Sequence, residues 1–205
     1  MEKALNAGKM EDKILKYINM IRHRPIDFID FLKEREIDYE ENSYFNKKTK
    51  KRYHTKEDYT AVLEAIDFLT NCHPVLPLER SKKLDETAKA HSDFLIKENI
   101  VSNVGAGGLN PEERISKEKG KGSLGEAISL FENKAKQIVI NLIIDDGLVE
   151  RPNRKMLICK DFNEIGISLN KHPSKNFICV LHFWGSPIAR IKYSFPLNEL
   201  DEEPW

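Results

Sequence analysis

His91, Glu126, Asp145 and Asp146 are the side chains whose types and spacing could do chemistry together, and Asn153 stands beside them. All but His91 fall in one tract, from Gly122 to Lys155 (GSLGEAISLF…INLIIDDGLVERPNRK). The surrounding pattern predicts regular, half-buried structure there. Ionisable groups in such places are costly unless paired or used. One imidazole and several carboxylates could serve general acid–base work or hold a metal. Asn153 cannot titrate, where a working site would want a residue that can.

Each candidate has two readings. His91 lies on the apolar stripe Leu84, Ala88, His91, Leu95 of one helix. It is either a buried histidine satisfied by neighbours or a cleft histidine facing Glu126. Glu126 follows Gly125 in a short apolar strand. It either points to solvent or, like Ile128 and Leu130 on its face, points inward. Asp145 and Asp146 end a helix, where negative charge opposes the helix dipole at roughly 0.3–1 kcal/mol each. Either one of them is used, or Asp146 ends the helix beside Gly147 and Asp145 is exposed.

Other chemistries lack their residues. HExxH, a Cys/His ligand cluster, a phosphate loop ahead of a helix and a GxSxG elbow are all missing. Gly105-Ala-Gly-Gly precedes Asn110-Pro111 and reads as a flexible turn. Cys159 and Cys179 adjoin apolar residues and read as core or strand positions rather than reactive thiols.

The elements that must position these groups are legible in the periodicity. Ile14, Leu15, Ile18 and Ile21 predict a helix over about 11–23, and Pro25 suits the start of a second. Residues 38–56 have no apolar period and carry Lys47, Lys48, Lys50, Lys51, Arg52 and Lys56. They read as a basic surface loop or insertion, either merely solvated or contacting an acidic partner. A helix is predicted over 57–70, then an extended run His73-Pro-Val-Leu-Pro-Leu. Ser81 is expected to cap a helix over 82–99. Asn110-Pro-Glu-Glu predicts a capped short helix to about Lys117. Leu124–Phe131 reads as a strand and 133–146 as a helix. The runs 164–169 and 177–184, joined by Lys-His-Pro-Ser-Lys, form a hairpin signal. The pattern is α+β, with a small, mostly antiparallel sheet.

Length and composition bound the rest. A chain of 205 residues fits one domain, expected over 11–187, between tails 1–10 and 188–205. Lys+Arg and Asp+Glu both number 33, so no global field favours nucleic acid or an anionic membrane. The N-terminus shows no signal-peptide pattern, no apolar run is long enough for a span, and Cys72, Cys159 and Cys179 form no CxxC pair. An intracellular, reducing compartment is expected, cytoplasmic or within a cytoskeletal or organellar assembly.

Several of these motifs, in order, resemble the CAP superfamily, also called the SCP domain. The run Pro77-Leu-Glu-Arg-Ser through Ala-Lys-Ala-His91-Ser resembles that family's first His helix. Leu109-Asn-Pro-Glu-Glu-Arg-Ile resembles the short helix after it, and Gly125-Glu126-Ala-Ile the "GENI" strand. Ile138–Gly147 with Arg151-Pro-Asn-Arg-Lys resembles the form of bacterial and protist members, whose second stretch commonly reads "RGHRK". The strand ending Cys179-Val-Leu-His-Phe completes a likeness spanning about 14–185. It implies an α-β-α sandwich with a central antiparallel sheet. It also implies a cleft of two His and two acids that sometimes holds a divalent metal. By motif position these are His91, Glu126, Asp145 (or Asp146) and, where the second His belongs, Asn153. An amide oxygen is a poor zinc ligand and exchanges no proton. Ala127 also stands where the motif has Asn.

The resemblance with this departure implies a non-enzymatic CAP domain, without cofactor or metal (if any, at His91 with Glu126). It would act as a structural or protein-binding subunit of a larger assembly, with partners reached through Lys47, Lys48, Lys50, Lys51 and Arg52 or the acidic C-terminal tail. No catalytic residue is assigned. The alternatives are a metal-dependent hydrolase using His91, Glu126 and Asp145 with a water oriented by Asn153, and a lipid or sterol carrier.

Overall fold

The computed structural model describes residues 7–35, 39–46 and 50–186. Lys47, Lys48 and the tail 188–205 lie outside them, as does the side chain of Lys51.

The helices follow the apolar periods. α1 spans Ala7–His23 and buries Ile14, Ile18 and Ile21; it begins earlier than the position near 11 that periodicity predicts. A 3-10 turn at Pro25–Phe28 leads into α2, Ile29–Lys33. α3 is Thr60–Asn71, α4 Lys82–Glu98 and α5 Pro111–Lys119. α5 carries the expected capping box: Asn110 Oδ1 accepts from Glu113 N, and Glu113 accepts from Asn110 N. Ser81 does stand at the N-terminus of α4, but its side chain makes no capping bond. Its backbone N–H donates instead to Ile165 O, so the residue is used to join helix and sheet.

The expected basic loop is in part a β-hairpin. β1, Ser43–Asn46, pairs antiparallel with β2, Lys51–His54. Tyr44 and Tyr53 stack across it, with centroids 5.3 Å apart. The cross-strand pair of Tyr44 and Tyr53 holds the two strands together, and the charged residues around it in the sequence hid that signal.

The main sheet has the order β3-β5-β6-β4. β3 (Glu79–Arg80) runs parallel to β5 (Glu164–His172). β5 pairs antiparallel with β6 (Asn176–Gly185), which pairs antiparallel with β4 (Ser123–Leu130). The 164–184 hairpin is thus as expected. The fold is α+β, with helices on both faces of the sheet. Ala127, Ile165, Ile167, Leu169, Cys179, Leu181 and Phe183 enter the larger core with α1, α3 and α6 (Ala135–Ile144). Alternate residues face α4, where Ile178, Val180, Ile128 and Leu130 pack with Ala88 and Leu95. α7 (Pro152–Ile158) follows α6 and sits against β4. Among the described residues, no helix is long and apolar enough to cross a membrane.

Arg22 ties these layers together. It is 1% exposed, and its guanidinium donates to the carbonyls of Leu76, Leu157, Cys159 and Phe162. Burial pushes its pKa down to about 10. One side chain thus gathers four backbone carbonyls from the segment before β3, the end of α7 and the loop after it.

Candidate functional site

Register decides what can meet on the α4 face. Glu126 of β4 lies opposite His182 of β6, and His182 lies opposite Gly166 of β5. These three residues form one row across the sheet. α4 crosses that row closely, because Gly166 presents no side chain: a Cβ there would lie 2.0 Å from the Leu84 carbonyl carbon. Close approach brings Thr87 onto His182 and His91 toward Glu126.

The resulting centre is densely hydrogen-bonded. Glu126 Oε2 accepts from His182 Nε2 at 2.7 Å and from Arg114 Nη2 at 2.5 Å. Its Oε1 accepts from Asn103 Nδ2 at 2.8 Å. His91 Nε2 is 3.6 Å from the same carboxylate but points its hydrogen at Ser102 O, 3.0 Å away. The side chains of His91 and His182 are 0% exposed and that of Glu126 1%. His91 Nδ1 has no hydrogen-bond partner. It lies against Gly105, where a Cβ would stand 3.0 Å from it and 2.9 Å from Arg114 Nη1.

Electrostatics follow from this packing. Burial pushes the pKa of both imidazoles down, against the attraction of Glu126. Both are therefore neutral near pH 7. A carboxylate only accepts, so His182 carries its proton on Nε2, and Nδ1 accepts from the Thr87 hydroxyl 2.8 Å away. Burial raises the Glu126 pKa, but the His182 hydrogen bond and the charges around it outweigh that and hold it below the usual carboxylate range.

Asp145 and Asn153 meet elsewhere. Asp145 caps the C-terminus of α6, just after Ile144, in the left-handed region at φ 56°. Its Oδ1 accepts from Asn153 Nδ2 at 2.7 Å, and its Oδ2 accepts from the backbone N–H of Asn153 and Arg154. The carboxylate thus caps the first turn of α7, where negative charge is favoured. Burial still raises its pKa above the usual range, more than these bonds lower it. Asp146 accepts from the backbone N–H of Lys56 and Glu57, fixing the segment after β2. Arg151, itself at φ 48°, forks onto Glu57 and Glu64. The Arg151 hydrogen bond holds the Glu57 carboxylate down to about 2.

The expected cleft set is therefore split. His91 lies beside Glu126, and Asp145 bonds Asn153, but among the described residues no hydrogen bond or ion pair joins these two sets. Glu126 borders a cavity of about 500 Å³ with Asn103 and Met156. Asp145 and Asn153 border another, of about 270 Å³. His182 and Arg114, not singled out from sequence, complete the first set. Strand alternation does put Glu126 on the α4 face, but only the register of β4 against β6 reveals its partner.

Of the basic residues expected to meet a partner, Lys50 and Arg52 are described, and both are exposed. Arg52 bonds Glu40 at 3.0 Å and Ser43 Oγ at 2.9 Å.

No family model matches this chain, and no curated protein matches it. Among solved structures, an outer surface protein from Borrelia burgdorferi aligns over 62% of this chain and 88% of its own, at 20% identity and TM-score 0.46. An extracellular protein containing an SCP domain, from Bacillus anthracis, aligns over 61% of this chain and 38% of its own, at 17% identity and TM-score 0.46.

Proposed function

We propose that this chain is a non-enzymatic CAP-like domain, acting inside the cell as a structural or protein-binding unit of a larger assembly. The ordered motifs from Pro77 to Phe183 and the layering of helices on both faces of the sheet support the family reading. Cys72, Cys159 and Cys179 are free thiols, in keeping with a reducing compartment.

One observation carries the non-enzymatic reading: Glu126 is filled by protein donors. Asn103 takes one oxygen, while Arg114 and His182 take the other. A divalent cation at His91 and Glu126 would have to sit beside the Arg114 guanidinium, against its charge. A general base would have to give up bonds that pay for its burial. Asp145 is likewise occupied, as the cap of α7. The polar centre fixes sheet against helix and leaves binding to the surface.

Two measurements test this. The native protein should migrate in extract well above the size of a 23.8 kDa monomer. Migration as a free monomer at every concentration would sink the assembly role. Calorimetric titration with zinc and magnesium should give no heat of binding. Binding that His91→Ala removes would favour the metal-dependent hydrolase instead.

A further inference from the structure

We propose that the cavity between the β1–β2 hairpin and the end of β4 binds a small, flat organic carboxylate. This goes beyond the role proposed above, and involves neither His91 nor Glu126.

The cavity encloses about 270 Å³, near the small end of ligand clefts, which run from roughly 300 to 1,000 Å³. Its hairpin side is aromatic. Tyr44 stacks on Tyr53 with an interplanar angle of 12° and on Tyr39 at 25°. Arg35 lies against this wall, 8% exposed, with Cζ 4.4 Å from the Tyr44 ring centroid. Its Nη2 donates to Asn141 Oδ1 at 2.7 Å, which orients the guanidinium. Among the described residues, no carboxylate lies within ion-pair distance of Arg35. Glu132 and Asp146 act on its charge only from beyond that distance, and an anion entering the cavity would meet the guanidinium directly. Ser129 Oγ, also on the cavity, is buried without a hydrogen-bond partner.

The acidic residues around the cavity set the ligand's charge. Asp145 and Asp146 accept backbone N–H groups and are spent on them. Burial pushes the Glu132 carboxyl up, toward its neutral form. Their proximity disfavours a dianion such as phosphate and leaves room for one negative charge. A carboxylate matches the planar fork of Arg35. A flat ring attached to it would lie along the tyrosines. The ligand class is therefore a monocarboxylate on an aromatic ring.

The test uses the full chain and a series of probes alike in shape, followed by calorimetry or ligand-observed NMR. Benzoate should bind at least about tenfold more tightly than benzamide, with benzylamine weakest. Arg35→Gln, which removes the cation and keeps a polar side chain, should lose about tenfold in benzoate affinity while leaving benzamide unchanged. Benzamide binding as well as benzoate, a preference for benzylamine, or no benzoate binding up to about 10 mM would each overturn the proposal. So would a folded Arg35→Gln protein with unaltered benzoate affinity. If that variant fails to fold, the order of the three probes on the unmodified chain decides alone.

Discussion

Glu126 and His182 face each other in register across β4 and β6, with Oε2 and Nε2 2.7 Å apart and both side chains sealed from solvent. The pair lies under α4, so its protonation is tied to the packing of helix on sheet.

That tie predicts how stability depends on pH. Burial depresses the folded pKa of both His91 and His182 below the ordinary 6.5. A group with a depressed folded pKa binds fewer protons folded than unfolded. Its stabilisation is complete above the unfolded pKa and is lost as pH falls through the folded one. Glu126 is depressed too, so its contribution disappears in the same direction but in a lower window, below the ordinary 4.5. The melting temperature should therefore fall between pH 7 and pH 5, before Glu126 titrates. Replacing His182 with Gln should flatten that fall in a circular-dichroism melt series, and an unchanged slope would remove the pair as its source.

Arg114 should matter as much as the histidines. Its guanidinium joins Glu126 to the carbonyls of Asn103 and Leu109, so it anchors the glycine-rich segment 103–109 over the polar centre. Arg114→Met would strand a buried carboxylate with fewer donors, which typically costs about 3–5 kcal/mol. Urea unfolding should show a loss near the lower figure, because His182 and Asn103 remain. Limited proteolysis should then cut first within 103–109. A loss under about 0.5 kcal/mol would mean the pair is worth no more than a surface bridge.

Much of this arrangement was legible in the chain and some was not, for identifiable reasons. The helical stripes of α1 and α4, the capping box of α5 and the β5–β6 hairpin rest on local patterns, and each formed where its pattern lay. His91 and Glu126 came together because helical phase and strand alternation both aimed them inward. His182 sits in an apolar strand and became visible only through cross-strand register. Asp145 and Asp146 looked misplaced at a helix end because the N–H groups they serve belong to α7 and to the segment after β2. The hairpin at 43–54 was obscured because its strands are short and its aromatic pair, Tyr44 and Tyr53, is set among charged residues in the sequence.

Restoring the histidine that the resemblance implies should not restore a metal centre. In Asn153→His, the new imidazole would stand beside Asp145, whose oxygens already cap α7, with no described bond to the His91 and Glu126 set. The Asn153 amide also donates to Asp145 at 2.7 Å, and that bond would have to be replaced. Calorimetry should detect no zinc binding by this variant, with a stability loss of about 1 kcal/mol from the exchanged hydrogen bond. Stoichiometric zinc binding that also required His91 would show that the two sets form one site after all.

The close crossing of α4 over the sheet gives the most demanding prediction. At Gly166 a methyl group would lie 2.0 Å from the Leu84 carbonyl carbon and 2.3 Å from Asp85 N, both backbone atoms of α4. Backbone cannot swing aside as a flexible side chain can, so the helix itself must move. Moving it would lengthen the contact of Thr87 with His182 and disturb Asp85, which accepts from Ile167 N and from Arg80. Overpacking of this kind usually costs about 1–3 kcal/mol, and here the lost hydrogen bonds add to it. Gly166→Ala should thus destabilise the protein by about 3 kcal/mol or more and reduce the pH dependence of its melting. Gly8→Ala provides the contrast: a Cβ at that position in α1 meets nothing within 4 Å. Alanine is the better helix former, by roughly 0.5–1 kcal/mol, so this change should be neutral or slightly stabilising. Equal effects from the two substitutions in chemical denaturation would show that the crossing at Gly166 is looser than the described geometry.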